Sequence, residues 1–242
     1  MGYWSERLSF LIKKKLLFKE LSAHLKHKDK KVYSKLLPLV TIDDVAPDKN
    51  IVVKNNEFED GNVSAFELEC ICRLVKKHQP QNIFEIGTFN GRTSYHMAAN
   101  SPENTKVVTL DLPKTEMANT ALRIKSGEKK FINKDHSGDY FMDTEMNKKI
   151  TQIYADSAQA DYSPYNNKMD FVFIDGSHSY EYVISDTQVA RKLLRNGKGV
   201  IVWHDYGWNE VIQALNEFYK EDSFYKNMKN INGTSLVFLV VE

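Results

Sequence analysis

The chain has 242 residues, with 33 Lys plus Arg against 32 Asp plus Glu, 42% hydrophobic residues and 12% aromatics. That composition supplies one ample core and excludes wholesale disorder. No apolar run approaches the roughly 18 residues of a membrane span, and Cys70 and Cys72, two apart on an expected helix, face different ways and read as reduced core thiols.

The near-zero charge hides an asymmetry. Residues 1–38 carry ten basic side chains against Glu6, Glu20 and Asp29, a local charge of +7 that leaves −6 for the remainder of a chain totalling +1. Bulky apolar residues (Trp4, Phe10, Leu16, Phe18) lie among the lysines. Two readings of this helical stretch stand: a cap packing on the main domain or on a second copy in a homodimer, and a basic surface for peripheral contact with an anionic membrane. Lys13, Lys14 and Lys15 break the apolar order of a signal peptide, so the expected compartment is the cytoplasm, with or without a membrane-peripheral fraction. Pro38 and Pro47 bracket a polar connector, which puts the extension and connector at 1–50 and the main domain at 51–242.

Ser64-Ala-Phe-Glu67 is a capping-box sequence, and Phe66, Leu68, Ile71 and Val75 carry the predicted helix to about His78, before Pro80. From there short apolar strands end in acids or glycine: 82–87, 106–111, 150–156, 170–175 and 199–205. Helical stretches such as 180–194 separate them, so the runs read as a parallel sheet buried on both faces, a doubly wound α/β fold. The tail, 235–241, follows a turn too short for a crossover helix, so its strand is antiparallel. Between Leu112 and Lys149, Met117–Ile124 reads as helical, and 125–139 is polar and glycine-punctuated, the composition of a lid.

In such sheets ligands bind at the carboxyl ends of the strands. Gly87 permits a tight strand-to-helix turn, Gly91 permits close approach, and Thr93 or Ser94 opens the next helix. Phe89 stands where a dinucleotide fingerprint has its second glycine, and no Gly-Lys-Ser/Thr follows, which disfavours NAD and ATP. Glu85 instead fits a cofactor with a positive amino group. Asp111, twenty residues after Gly91, is placed to accept both ribose hydroxyls of an adenosine, and Asp156-Ser157 stands either beside the adenine amino group or as a helix cap.

Residues 82–94, Asp111, Asp156-Ser157, 170–180 and 199–206 resemble, in order and spacing, the motifs of class I S-adenosylmethionine-dependent methyltransferases. The similarity is greatest to the branch with a Glu-Ile-Gly-Thr first motif and an Ile-Asp-Gly-Ser-His-Ser-Tyr-Glu fourth motif, which includes small-molecule and sugar O-methyltransferases. It spans roughly 60–242 and implies a seven-stranded, Rossmann-like sheet with the last strand antiparallel. The cofactor set it implies is Glu85 near the methionine amino group, Gly87 and Gly91 beneath the cofactor with Thr88 and Thr93, Asp111 and Leu112 at the ribose, Asp156 and Ser157 at the adenine, and Asp175.

The stretch after the fourth strand, Asp175-Gly-Ser-His-Ser-Tyr180, lacks the two prolines of base N-methylating enzymes, and the −6 charge of the main domain argues against a nucleic-acid partner. The acceptor that the resemblance implies is a hydroxyl of a small molecule or glycan. Asp175, His178, His204 and Asp205 are the candidate catalytic residues. Related metal-dependent enzymes place acids here, so Asp175 and Asp205 are candidate Mg²⁺ ligands; because Mg²⁺ prefers oxygen, His204 is alternatively a general base. The rival readings are an NAD-dependent oxidoreductase on a similar fold and a non-catalytic cofactor-binding partner protein.

Overall fold

A computed structural model describes residues 32–54 and 59–242. A two-residue strand β1 (Leu39–Val40) and a one-turn helix α1 (Ile42–Val45) lead into α2 (Ala65–His78), β2 (Asn82–Ile86), α3 (Arg92–Ala99) and β3 (Lys106–Asp111). The long connection that follows holds α4 (Lys129–Ile132) and α5 (Asp139–Met142). Then come β4 (Ile150–Tyr154), β5 (Phe171–Ile174), α6 (Tyr180–Leu193), β6 (Gly199–Trp203), α7 (Asn209–Glu221), β7 (Lys229–Ile231) and β8 (Val237–Val241).

The strands form one sheet in the order β1-β7-β8-β6-β5-β2-β3-β4, parallel except for β8, which runs antiparallel to both neighbours. This is the expected doubly wound fold with eight strands rather than seven. Six of the eight lie at the runs located in sequence; the other two are β1, from the stretch assigned to the connector, and β7, which begins where a turn alone was expected. The chain winds outward from β2 to β4 and then returns to the other side of β2, so the switch point is the crevice between β2 and β5.

The continuous apolar strands are buried on both faces because helices cover both. In β5, Phe171 and Phe173 join a core with Leu68 and Ile71 of α2, whereas Val172 and Ile174 face Ile184 of α6 and Leu215 of α7. The capping box at the start of α2 is formed: Ser64 Oγ accepts from the Glu67 amide and the Ser64 amide donates to Glu67 Oε2.

Two boundaries differ from expectation. The connector up to residue 46 belongs to the domain, since β1 pairs with β7, Ile42 and Ala46 are buried, and Arg73 of α2 donates through Nε to the Ala46 carbonyl at 2.7 Å. Residues 32–38 are not helical: the Tyr33 amide donates to Asn209 Oδ1, and the Leu36 amide to the Tyr206 hydroxyl at 2.9 Å. The helical extension itself, with its membrane and homodimer readings, falls mostly on residues 1–31, outside the described residues. Among the described residues no helix is long and apolar enough to cross a membrane.

Met117–Ile124 is not a helix either. The Ala121 amide donates to Asp156 Oδ2 at 2.6 Å, and so leaves the helical ladder for a tertiary partner. This holds 117–124 as an irregular strap, with a 3₁₀ turn on either side (Lys114–Glu116 and Ser126–Glu128).

Candidate active site

A cavity of about 300 Å³ opens at the carboxyl ends of β2 to β6. Of the residues singled out from sequence, Gly87, Thr88, Thr93, Asp111, Leu112, Asp156, Ser157, Asp175, His178, His204 and Asp205 all line it. Glu85 and Gly91 do not.

Gly87 has φ +101°, and a Cβ there would collide with the carbonyl of Asp175 in the neighbouring strand end. Strand-to-strand packing is enough to require the glycine here. Gly91, with φ +87°, lies instead under the ring of Phe141, which a Cβ would meet at 2.5 Å. Phe89 takes the left-handed φ of +49° that a glycine would occupy without strain, and its ring packs edge-on against Phe131 of α4 at 5.8 Å.

Glu85 is fully buried beneath the turn rather than facing the cavity, because strand alternation points it toward α3. Its Oε2 accepts from the Ser94 and Thr109 hydroxyls, while Oε1 has no partner among the described residues. Burial raises its pKa to about 8 against the opposing effect of those two hydroxyls, which favours the neutral acid in this arrangement.

Asp111 is nearly buried, and its Oδ2 takes two groups from the long connection: Ser137 Oγ at 2.5 Å and Lys134 Nζ at 2.8 Å. Asp156 has both oxygens filled by protein donors. Oδ1 accepts from the Ala158 amide and the Tyr182 hydroxyl, and Oδ2 from the Ala121 amide and Gln159 Nε2. That is the capping role, extended into an anchor for the strap. Nearby, Asp186 of α6 is completely buried with neither oxygen hydrogen-bonded; burial raises its pKa to about 7, and the Ser157 hydroxyl, close but not aligned, offsets only part of that.

The ends of β5 and β6 bring the four candidate catalytic residues together. His204 Nδ1 lies 2.9 Å from Asp175 Oδ1 and 3.1 Å from Asp205 Oδ2, and the other imidazole, His178, reaches the same Asp205 oxygen through Nε2 at 2.5 Å. Asp205 sits at φ +61°, a left-handed conformation that aspartate tolerates better than most residues. Three donors, from Asp175, His204 and Asp205, lie within 4.8 Å of one another.

Burial alone would favour neutral imidazoles. The carboxylates outweigh it: Asp205 and Glu128 raise His178 to about 9, and Asp175, Asp205 and Glu67 lift His204 well above its ordinary value. Asp205 is in turn held well below the usual carboxylate range despite its burial, chiefly by His178 and His204. In this arrangement both histidines are imidazolium at neutral pH, so a histidine acting as base gives a rising limb above the ordinary histidine range.

Four residues of this site were not singled out from sequence. Glu67, expected only as a cap, also faces His204 Nε2 at 3.3 Å, without hydrogen-bond alignment, and accepts from the amide and hydroxyl of Ser235. Glu128 accepts from the His178 amide and the Ser177 hydroxyl. Lys134 pairs with Asp111, as described. Trp208 is 54% exposed at the cavity mouth, with its indole stacked on the His178 ring at 5.4 Å and 4°. Glu128 and Lys134 belong to the segment expected to be a lid, whose composition was the available signal; nothing local marks Glu67 or Trp208.

A family described as "Methyltransferase domain" matches residues 84–206, just over half of the chain and the whole run from β2 through the end of β6. The chain belongs to this methyltransferase-domain family. No curated protein matches the chain. Among solved structures, an O-methyltransferase from Bacillus cereus in complex with SAH is 18% identical, covers 94% of this chain and 97% of its own, and superposes with a TM-score of 0.54. The O-methyltransferase TomG from Streptomyces achromogenes, involved in tomaymycin synthesis and in complex with SAM, is 17% identical over 94% and 96% with a TM-score of 0.51. The SAH-bound Podospora anserina methyltransferase PaMTH1 is 16% identical over 76% and 81%, also at 0.51. At these identities the likeness is one of fold.

Proposed function

We propose that this methyltransferase moves a methyl group from S-adenosylmethionine to a hydroxyl of a small molecule or glycan. The observation that carries the proposal is the division of one cavity into two chemistries. The ends of β2 to β4 present Gly87, Asp111 and Leu112, and the ends of β5 and β6 present Asp175, His204 and Asp205. The donor set fits a cationic nucleoside: among the described residues six carboxylates (Asp60, Asp111, Glu128, Asp156, Asp175, Asp205) line the cavity, against Lys134 and the imidazoliums of His178 and His204. A pyrophosphate would be repelled there, which also counts against the nicotinamide reading. The cofactor supplies a sulfonium methyl, whose carbon bonds to the acceptor oxygen as the C–S bond breaks and its electron pair returns to sulfur.

The protein's share is positioning and charge. Asp111 is the ribose acceptor, shared with or taken over from Lys134 and Ser137. The Asp175, His204 and Asp205 group faces the acceptor and receives or orients its hydroxyl proton. Because the carboxylates hold the His204 proton, turnover that uses His204 as base rises above the ordinary histidine range. The same three donors fit a divalent ion, and one nitrogen with two carboxylates suits Mn²⁺ or Zn²⁺ better than Mg²⁺. Such an ion would polarise the acceptor oxygen. Calorimetry with S-adenosylhomocysteine, followed by methyl transfer to a hydroxyl panel before and after chelation and metal return, tests both parts. Failure to bind S-adenosylhomocysteine would refute the proposal, and NADH binding in its place would favour the oxidoreductase.

A further inference from the structure

Trp208 is a large aromatic left half in solvent directly after the β6 motif, at the mouth of the cavity. Two contacts hold it there. Its Nε1–H donates to Asp205 Oδ1 at 3.2 Å, and one face of the indole lies flat on the His178 ring, parallel within 4°. The edge hydrogen bond and the stacked face fix the ring's orientation while it stays 54% exposed. An exposed indole costs solvation and gives nothing to the core, whereas a rigid, pre-oriented one is an efficient binding surface because little freedom is lost on contact.

We propose that Trp208 is the platform for the methyl acceptor, and that the acceptor is an uncharged sugar ring. This rests on the methyl-transfer reading and narrows its acceptor. The polarised C–H face of a pyranose lies on the negative face of an indole, and the ring's hydroxyls then project edgewise toward hydrogen-bonding groups. The cavity offers such groups beside Trp208. Asp205 has a carboxylate oxygen shared with the indole, and His178 and His204 line the cavity with it. Charge decides against the competitors. Six carboxylates line the cavity against Lys134 and the imidazoles of His178 and His204, a balance that stays negative with both imidazoles protonated and disfavours phosphorylated, sulfated or carboxylate-bearing acceptors. A planar phenol is sandwiched best between two apolar faces; Trp208 offers a single open face with polar neighbours.

The test is saturation-transfer NMR on the full chain loaded with S-adenosylhomocysteine. The probes are methyl glycosides of glucose, galactose, mannose, rhamnose and N-acetylglucosamine, with catechol and glucose 6-phosphate alongside. At least one glycoside is expected to show saturation on its C–H face, with none for the phosphate. Trp208→Ala should remove at least nine-tenths of that signal, an estimate on the order of an interface anchor's effect, and Trp208→Phe should keep part of it. Unchanged melting temperature and S-adenosylhomocysteine affinity would show that the variants are folded and loaded. Binding of catechol alone, no saturation of any glycoside, or a glycoside signal that survives Trp208→Ala would each overturn the proposal. If S-adenosylhomocysteine fails to bind while the glycoside still stacks on Trp208, the methyl-transfer reading falls and the sugar platform stands.

Discussion

Replacing Asp111 by Asn tests the cofactor half of the site with little change of volume. Asp111 Oδ2 holds Ser137 Oγ at 2.5 Å and Lys134 Nζ at 2.8 Å, so a ribose diol must share or displace these donors. Two new charge-assisted hydrogen bonds would each contribute roughly 1.5 to 3 kcal/mol. Loss of the contacts already present offsets about one of them, and the net dependence on the carboxylate is about 1.5 to 3 kcal/mol, or roughly ten- to 150-fold in Kd. Titration calorimetry with S-adenosylhomocysteine reads this directly, with a thermal melt to show that the variant is folded. An unchanged Kd in a folded Asp111→Asn protein would remove Asp111 from the cofactor site. Lys134→Met supplies the opposite sign: with the competing ammonium gone, binding should tighten several-fold, and weaker binding would make Lys134 a cofactor contact instead of a competitor.

Gly87→Val is expected to fail as a fold, by more than about 3 kcal/mol, because its Cβ meets the Asp175 carbonyl and its φ is left-handed; a variant that melts like wild type but loses cofactor binding would point to a ligand clash instead. Asp205→Asn keeps a residue that tolerates φ +61° while removing the charge between His178 and His204, so methyl transfer should fall by about 100-fold or more with S-adenosylhomocysteine affinity within about twofold. Wild-type turnover would place the acceptor elsewhere. Asp186 gives a stability test: its folded pKa is about 7, above the unfolded value of about 3.8, so the native state resists ionisation and loses stability as pH rises from near 4 to near 7. Asp186→Asn should therefore raise the melting temperature relative to wild type at pH 8, by a free energy on the order of 4 kcal/mol, with a gain that fades toward pH 4; a difference that does not vary with pH would refute this.

Much of the architecture is local and so was legible in sequence. The capping box at Ser64 and Glu67 is formed, and the strand runs at 82–86, 106–111 and 199–203 appear nearly where periodicity put them. Burial on both faces leaves apolar residues at every strand position, and each strand must end where the chain turns toward a helix, so acids and glycines at those points mark the binding edge. Asp111, Asp175, His204 and Asp205 could be placed on the cavity for that reason.

Tertiary packing decided what each acid does there. Glu85 is one residue short of its strand end, so alternation turns it under the floor to Ser94 and Thr109, where burial favours the neutral acid. Asp156 is consumed by backbone and side-chain donors, among them the Ala121 amide from a segment 35 residues away that sequence periodicity made a helix. β1 and β7 are too short to show a pattern of their own; they pair with each other across about 190 residues of chain, and β7 also forms a short hairpin with β8. Glu67 faces His204 across more than 130 residues of chain, and Trp208 becomes a fixed surface only because His178 and Asp205, brought from two strand ends, hold its inner side. Residue type and spacing fix which groups are available at the edge of the sheet; contacts between distant segments settle their charge, their partners and the direction they face, because hydrogen-bond saturation and desolvation depend on neighbours that no local stretch of sequence contains.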